Sequence, residues 1–221
     1  MLMRLFSKFL DLLFPPKCAF CHALLKSGEE YGVCRKCEKS LPYTSGSDIK
    51  QKIPLISECC APLYYEGSVR QSLLRYKFGQ CTGYADIYGD LVSECICENL
   101  GGRFDIVSWV PLSRARKRKR GYDQAYLIAA SVGRHLDMPV VPTLKKVKDV
   151  KAQSSTGNAE KRRANISGAY GVIDVQSVAG RNILLVDDII TTGSTLSESA
   201  RTLQMAGAGE ITAAAVARHR D

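Results

Sequence analysis

The chain has 221 residues, 45% hydrophobic and 24% charged, with 18 Gly and 8 Pro. That excludes a fibrous or disordered polymer and leaves room for one ordinary domain plus a small module, but not for three cores. The formal charge of +9 is concentrated in two runs, +6 in residues 114–120 and +5 in residues 145–163, so the remainder sums to −2; such runs on a near-neutral body point to a polyanionic partner, a polyphosphorylated small molecule or nucleic acid.

Leu2, Leu5, Phe6, Phe9, Leu10 and Leu13 recur at helical spacing and predict a first helix ended by Pro15-Pro16. Lys8 and Asp11 interrupt its apolar residues, leaving neither a signal-peptide core nor a membrane-spanning run. Only Arg4 and Lys8 supply positive charge to its polar face, so docking on the protein's own body is expected over a membrane surface.

Nine cysteines, four of them in two Cys-x-x-Cys pairs, do not suit a secreted disulfide framework and predict reduced thiols and a cytoplasmic location. Cys18-x₂-Cys21-x₁₂-Cys34-x₂-Cys37 presents four thiolates to one tetrahedral ion, and the closed shell points to structural zinc. His22 adjoins Cys21, but four thiolates already complete the shell. Cys59-Cys60 is either a buried pair or the remnant of a further metal knuckle. Residues 1–60 therefore form an N-terminal helix and zinc-ribbon module, with the polar stretch Thr44 to Lys52 as a linker, and residues 61–221 a second domain.

From Ser68 the pattern turns helical: Val69, Leu73 and Tyr76 form one stripe, and Tyr84, Ile87, Tyr88, Leu91, Val92 and Cys95 another. Packing explains Cys95, and Cys81 and Cys97 are expected to share that role. Past Gly101-Gly102, strands are expected at Asp105–Pro111, Met138–Val141, Asn182–Val186 and Glu210–Ala217, with helices at Tyr122–Leu136 and Ser194–Met205. The alternation predicts an α/β domain with a parallel sheet covered on both faces.

The basic run, Arg114 to Arg120, leaves the Asp105–Pro111 strand, so its first residues should lie on the ligand edge of the sheet. Arg114 and Arg116 are expected nearest the site, with Lys117 to Arg120 along a loop kept extended by self-repulsion. The clearest signal is Asn182-Ile-Leu-Leu-Val-Asp-Asp-Ile-Ile-Thr-Thr-Gly-Ser-Thr-Leu196. A hydrophobic strand delivers Asp187 and Asp188 to its C-terminal end, and a small, hydroxyl-rich turn, Thr191 to Thr195, opens a helix whose N-terminus favours anions. A phosphate cradle beside paired acids suits a ligand with a phosphate and either hydroxyls or a metal, such as a ribose 5-phosphate.

This segment resembles the signature of type I phosphoribosyltransferases. Together with Leu12-Leu-Phe-Pro-Pro-Lys-Cys-x-x-Cys21, Tyr65-Glu-Gly-x-Val-Arg70, Leu74-Arg-Tyr-Lys77, Arg120-Gly-Tyr-Asp-Gln124, Gln153, Arg162 or Arg163, and Asn165, it makes nearly the whole chain similar to the ComF-type phosphoribosyltransferase-like proteins of DNA-uptake competence. The resemblance implies that Thr191, Thr192, Gly193, Ser194 and Thr195 hold the 5-phosphate of phosphoribosyl pyrophosphate. It implies that Asp187 and Asp188 take the ribose hydroxyls, directly or through Mg²⁺, as the catalytic acids. Arg114, Arg116 and Arg120 would meet pyrophosphate or nucleic acid, and Cys18, Cys21, Cys34 and Cys37 the zinc. Where family members often carry a further Cys-x-x-Cys, this chain has Glu58-Cys59-Cys60-Ala61. The expected function is phosphoribosyl pyrophosphate binding linked to DNA uptake, with an acceptor that no segment specifies. The alternative is a non-catalytic single-stranded nucleic-acid module that keeps the pocket for regulation, using Trp109, Tyr122 and Tyr126 beside the cations. Single-stranded DNA and competence proteins are the partners either version implies.

Overall fold

The computed structural model describes residues 15–26, 29, 32–101, 103–148 and 167–220. The first helix expected at residues 2–13, and Gln153, Arg162, Arg163 and Asn165, lie outside the described residues.

The main sheet is parallel, and its centre is the most apolar part of the sequence. Strands β1 (Cys59–Cys60) and β2 (Leu63–Tyr64) lie end to end along one edge, and β3 (Ile106–Trp109) lies on the far side. A two-stranded antiparallel pair, β4 (Leu144–Lys146) with β5 (Tyr170–Val172), stands apart from it. Next to β3 runs β6 (Ile183–Ile190), and between β6 and the β1/β2 edge runs β7 (Ile211–Arg218). Pro62, which has no N–H to give a ladder, separates β1 from β2. All eight residues of β7 are buried, as expected of a parallel strand covered on both faces.

Successive side chains of β6 alternate between two cores. Leu184 and Val186 join Leu73, Tyr88, Val92, Ile128 and Val132 on one side, while Ile183 and Leu185 join Leu196, Ala200 and Leu203 on the other. The first core is roofed by α2 (Gly67–Phe78), α3 (Tyr84–Asn99) and α5 (Gln124–His135), the second by α6 (Ser194–Met205). The small helix α1 (Arg35–Ser40) belongs to the cysteine module, and α4 (Arg114–Arg120) follows β3. No helix among the described residues is long and apolar enough to cross a membrane.

Four expectations are corrected. The Met138–Val141 strand shrinks to a single parallel bridge, Val140 to Val107, because Pro139 and Pro142 flank it and cannot donate. The Thr44 to Lys52 stretch is not a free linker. It contains a 3₁₀ turn (Gly46–Ile49), Thr44 Oγ1 donates to Ala61 O at 2.6 Å, and the buried Arg218 guanidinium donates to Asp48 O at 2.8 Å. The basic run is helical, because the Ser113 hydroxyl accepts the Arg116 N–H as an N-cap and Gly121, at φ 85°, closes the C-terminus. Cys97 is exposed and Cys81 only partly covered, so packing does not account for either.

Candidate functional site

The cysteine module is built as expected. The Sγ atoms of Cys18, Cys21, Cys34 and Cys37 all lie within 4.8 Å of one another, with Cys21 and Cys34 3.6 Å apart. Four sulfurs around one zinc at about 2.3 Å would stand roughly 3.8 Å apart, so the cluster fits a tetrahedral ion. Against the effect of burial, the amides of Cys34, Cys21 and Phe20 hold the Cys18 thiol down to about 7, whereas burial and hydrogen bonds with the neighbouring cysteines push Cys37 up. The site is a structural zinc ribbon. Cys59 and Cys60 are not part of it: adjacent on a strand, they face opposite cores, Cys59 toward α6 and Cys60 toward α3, where its thiol hydrogen-bonds to Cys95. Alternation along the strand thus rules the two out as one knuckle and leaves the buried pair.

At the C-terminal edge of the sheet, β6 carries the two acids, Asp187 partly buried and Asp188 buried. Being consecutive, they take opposite sides of the edge: Asp188 meets Lys77 at the end of α2, with Nζ to Oδ2 at 2.9 Å, while Asp187 lies near Tyr170 of β5. The Asp188 N–H donates to Asp187 Oδ1 at 2.8 Å. Burial and then the charge of Asp188 push the Asp187 carboxyl up to about 8, against the pull of the Asp188 amide and of Lys77. A third acid, the buried Asp123, is close enough to add to that rise and caps α5 by accepting the Tyr126 N–H.

Beyond β6 the chain turns into α6 through Gly193, whose φ of 69° is left-handed and strained for any other residue. Its missing Cβ also matters to packing, since a Cβ there would stand 2.9 Å from Ile53 Cγ1. Ile53 therefore covers the turn from the side, a neighbour the sequence pattern does not suggest. Thr191 and Thr192 are exposed, Gly193 and Ser194 buried, and Thr192 Oγ1 lies 2.8 Å from Ser194 Oγ. Gly193 supplies no side-chain cap to α6, so nothing on that side chain competes with an anion for the first-turn amides.

Helix α4 brings the basic run to the same edge. Arg116 and Arg120, four residues apart, share the partly buried face, while Arg114, Lys117 and Arg118 are exposed. Arg116 is near enough to Tyr170 to act on it electrostatically, and Arg120 stacks on the Phe78 ring at 4.9 Å. Together with Lys77, Phe78, Gln80, Lys119 and Tyr122 they line a pocket of about 430 Å³. Arg114 is thus turned away from the position expected of it, and Arg120 takes its place, because a helix advances about 100° per residue. Lys77 is the site residue to which pattern reasoning assigns no role; on the sequence it only closes the Leu74-Arg-Tyr-Lys77 motif, next to the buried Tyr76.

Residues 123–221 match the family model of the phosphoribosyl transferase domain, and residues 9–47 that of the double zinc ribbon domain. Competence protein F of Haemophilus influenzae is 38% identical over 111 residues, 49% of this chain and 48% of that protein. Competence protein ComFC of Bacillus subtilis is 26% identical over 175 residues, 78% of this chain and 66% of that one. The DNA utilization protein YhgH of Escherichia coli K12 is 31% identical over 111 residues, 48% of this chain and 46% of that protein. The matched segments thus span between about half and two thirds of these relatives. The fold is a phosphoribosyltransferase-like α/β domain with an N-terminal zinc ribbon. The two domain matches, together with the competence-protein relatives, are consistent with the ComF-type phosphoribosyltransferase-like family.

Proposed function

We propose that the protein binds phosphoribosyl pyrophosphate with Mg²⁺ at the C-terminal edge of β6 and serves the handling of DNA during uptake. The observation that carries this is the convergence at one sheet edge of three complementary groups: the Thr191 to Thr195 turn, the acids Asp187 and Asp188, and the Arg116/Arg120 face of α4. In this reading the turn holds the 5-phosphate and the acids take the ribose hydroxyls and the metal. Carboxylate oxygens are the hard donors Mg²⁺ prefers, and Asp188 Oδ2 is a buried atom with no aligned hydrogen-bond donor. Bound Mg²⁺ would supply charge neutralisation of the pyrophosphate. Arg116 and Arg120 would stabilise the same group more as negative charge builds up on it than in the ground state.

The relatives' names, two competence proteins and a DNA utilization protein, support the link to DNA. The outward cations Arg114, Lys117 and Arg118 and the exposed Phe78 support a second use of α4, binding single-stranded DNA alongside the first ligand. A reducing, cytoplasmic location is part of the proposal, because the ribbon cysteines must remain thiolates to hold zinc.

The test is calorimetry of phosphoribosyl pyrophosphate in Mg²⁺ with wild type and Thr192→Ala. A loss of about tenfold or more is expected, whereas equal affinity in a folded variant would refute the assignment of the turn. Pyrophosphate release measured against nucleobases, single-stranded DNA and water then identifies any acceptor.

A further inference from the structure

We propose that Lys77 is an exchangeable counter-ion, paired with Asp188 in the free protein and transferred to the ligand's pyrophosphate when a divalent ion takes its place on the acids. This deepens the phosphoribosyl pyrophosphate assignment and rests on it for the identity of the ligand.

Three observations place Lys77 between two partners. Its ammonium lies 2.9 Å from Asp188 Oδ2, both side chains being largely covered, at 17% and 7% exposure. The same side chain lines the pocket formed with Arg116, Lys119 and Arg120, so moving from the acid to a polyphosphate there requires only rotation of its flexible stem. The pairing itself is close but not aligned, for Asp188 Oδ2 has no hydrogen-bond donor in proper geometry. A covered ion pair without good hydrogen bonds gains little over its desolvation cost.

The backbone that carries Lys77 is fixed, which confines the motion to the side chain. Ser72 Oγ donates to Ala19 O at 2.6 Å, and Arg75 Nη2 donates to Ala19 O at 2.9 Å and Phe20 O at 2.6 Å, so α2 is bolted to the Cys18–Cys21 knuckle. Tyr76 Oη donates to Gln124 O at 2.8 Å, and Tyr122 Oη donates to Tyr76 O. Electrostatics then sets the direction of exchange. Asp123, Asp187 and Asp188 crowd one region in which Lys77 acts as a counter-charge. A divalent ion on the acids both replaces that charge and repels the ammonium toward the anion-binding face of α4.

The experiment uses the full chain, with Mn²⁺ alone followed by spin resonance and inorganic pyrophosphate in chelator followed by calorimetry. Lys77→Met should bind Mn²⁺ about tenfold tighter and pyrophosphate about tenfold weaker than wild type, opposite shifts expected when one cation serves two partners. Asp188→Asn should bind pyrophosphate more tightly, and the gain should vanish in Asp188→Asn/Lys77→Met, a pair that leaves no orphaned charge and so keeps the test available if Lys77→Met alone does not fold. Mn²⁺ affinity that is unchanged or lower in folded Lys77→Met, or a gain that survives in the double variant, would show Lys77 to be a fixed structural partner. If wild type fails to bind phosphoribosyl pyrophosphate while these shifts appear, the ligand assignment falls and the exchange stands.

Discussion

Replacing Gly193 with Ala probes the turn on which the phosphate site depends, and the structure divides its cost into two parts. The residue sits at φ 69°, where a side chain costs about 1–2 kcal/mol. The new Cβ would stand 2.9, 3.0 and 3.2 Å from three side-chain carbons of Ile53, and overpacking of that kind adds about 1–3 kcal/mol, so with the backbone part Gly193→Ala should destabilise by about 2–5 kcal/mol. Ile53 is buried, and Ile53→Ala alone should cost about 2–5 kcal/mol through the reduced burial and the cavity. In the Ile53→Ala background, however, only the backbone part of the Gly193 cost remains, so the double variant should show a favourable coupling equal to the relieved overpacking, about 1–3 kcal/mol. Urea unfolding of the four proteins measures this, provided m is unchanged across them. A Gly193→Ala protein within about 0.5 kcal/mol of wild type, or strictly additive single costs, would refute the role assigned to Ile53 and to the left-handed turn.

Three further outcomes are expected. Metal analysis should find about one zinc per chain, bound by Cys18, Cys21, Cys34 and Cys37, and Cys34→Ser should lose it; unchanged zinc in that variant would disprove the ligand set. Because the Asp187 carboxyl is raised from 3.8 to about 8 in the folded protein, the metal-free native state holds a proton that the unfolded chain has released. The contribution of this group to stability is therefore full below about pH 4 and is lost as pH rises toward 8. Asp187→Asn should flatten that part of the stability profile, and an unaltered slope between those pH values would contradict it. Finally, Arg116→Gln with Arg120→Gln should weaken pyrophosphate binding, whereas Arg114→Gln with Arg118→Gln should spare it and lower the salt slope for single-stranded DNA by roughly 0.7 for each phosphate no longer neutralised. Equal effects of the two pairs on pyrophosphate would erase the distinction between the faces of α4.

What the sequence discloses here is what depends on local chemistry. Helix α6, Ser194–Met205, has the bounds its pattern predicts, since a hydroxyl-rich turn and a clear apolar period mark both ends. Strand β6 is recognisable from its apolar run, although pairing with β7 carries it on to Ile190, past the acids. The four zinc cysteines are equally plain, because Cys-x-x-Cys spacing itself sets the geometry. The errors arise where a distant partner or a flanking cap decides. Seven residues with six positive charges read as a repelling loop, yet Ser113 and Gly121 cap them into a helix, and Arg and Lys are good helix formers. Lys77 and Asp188 lie on different elements, far beyond the reach of any local motif, and Ile53, which covers Gly193, is likewise distant from it in the sequence.

The acid pair is the centre of the proposed site, and its Mg²⁺ dependence is the most direct test. Phosphoribosyl pyrophosphate should be titrated in Mg²⁺ and in chelator into wild type and Asp187→Asn/Asp188→Asn. Wild type should bind at least about tenfold tighter with the metal, a difference of about 1.4 kcal/mol, and the double variant, still folded, should bind the same with and without it. An equal Mg²⁺ enhancement in both proteins, or no binding by wild type, would contradict the assignment.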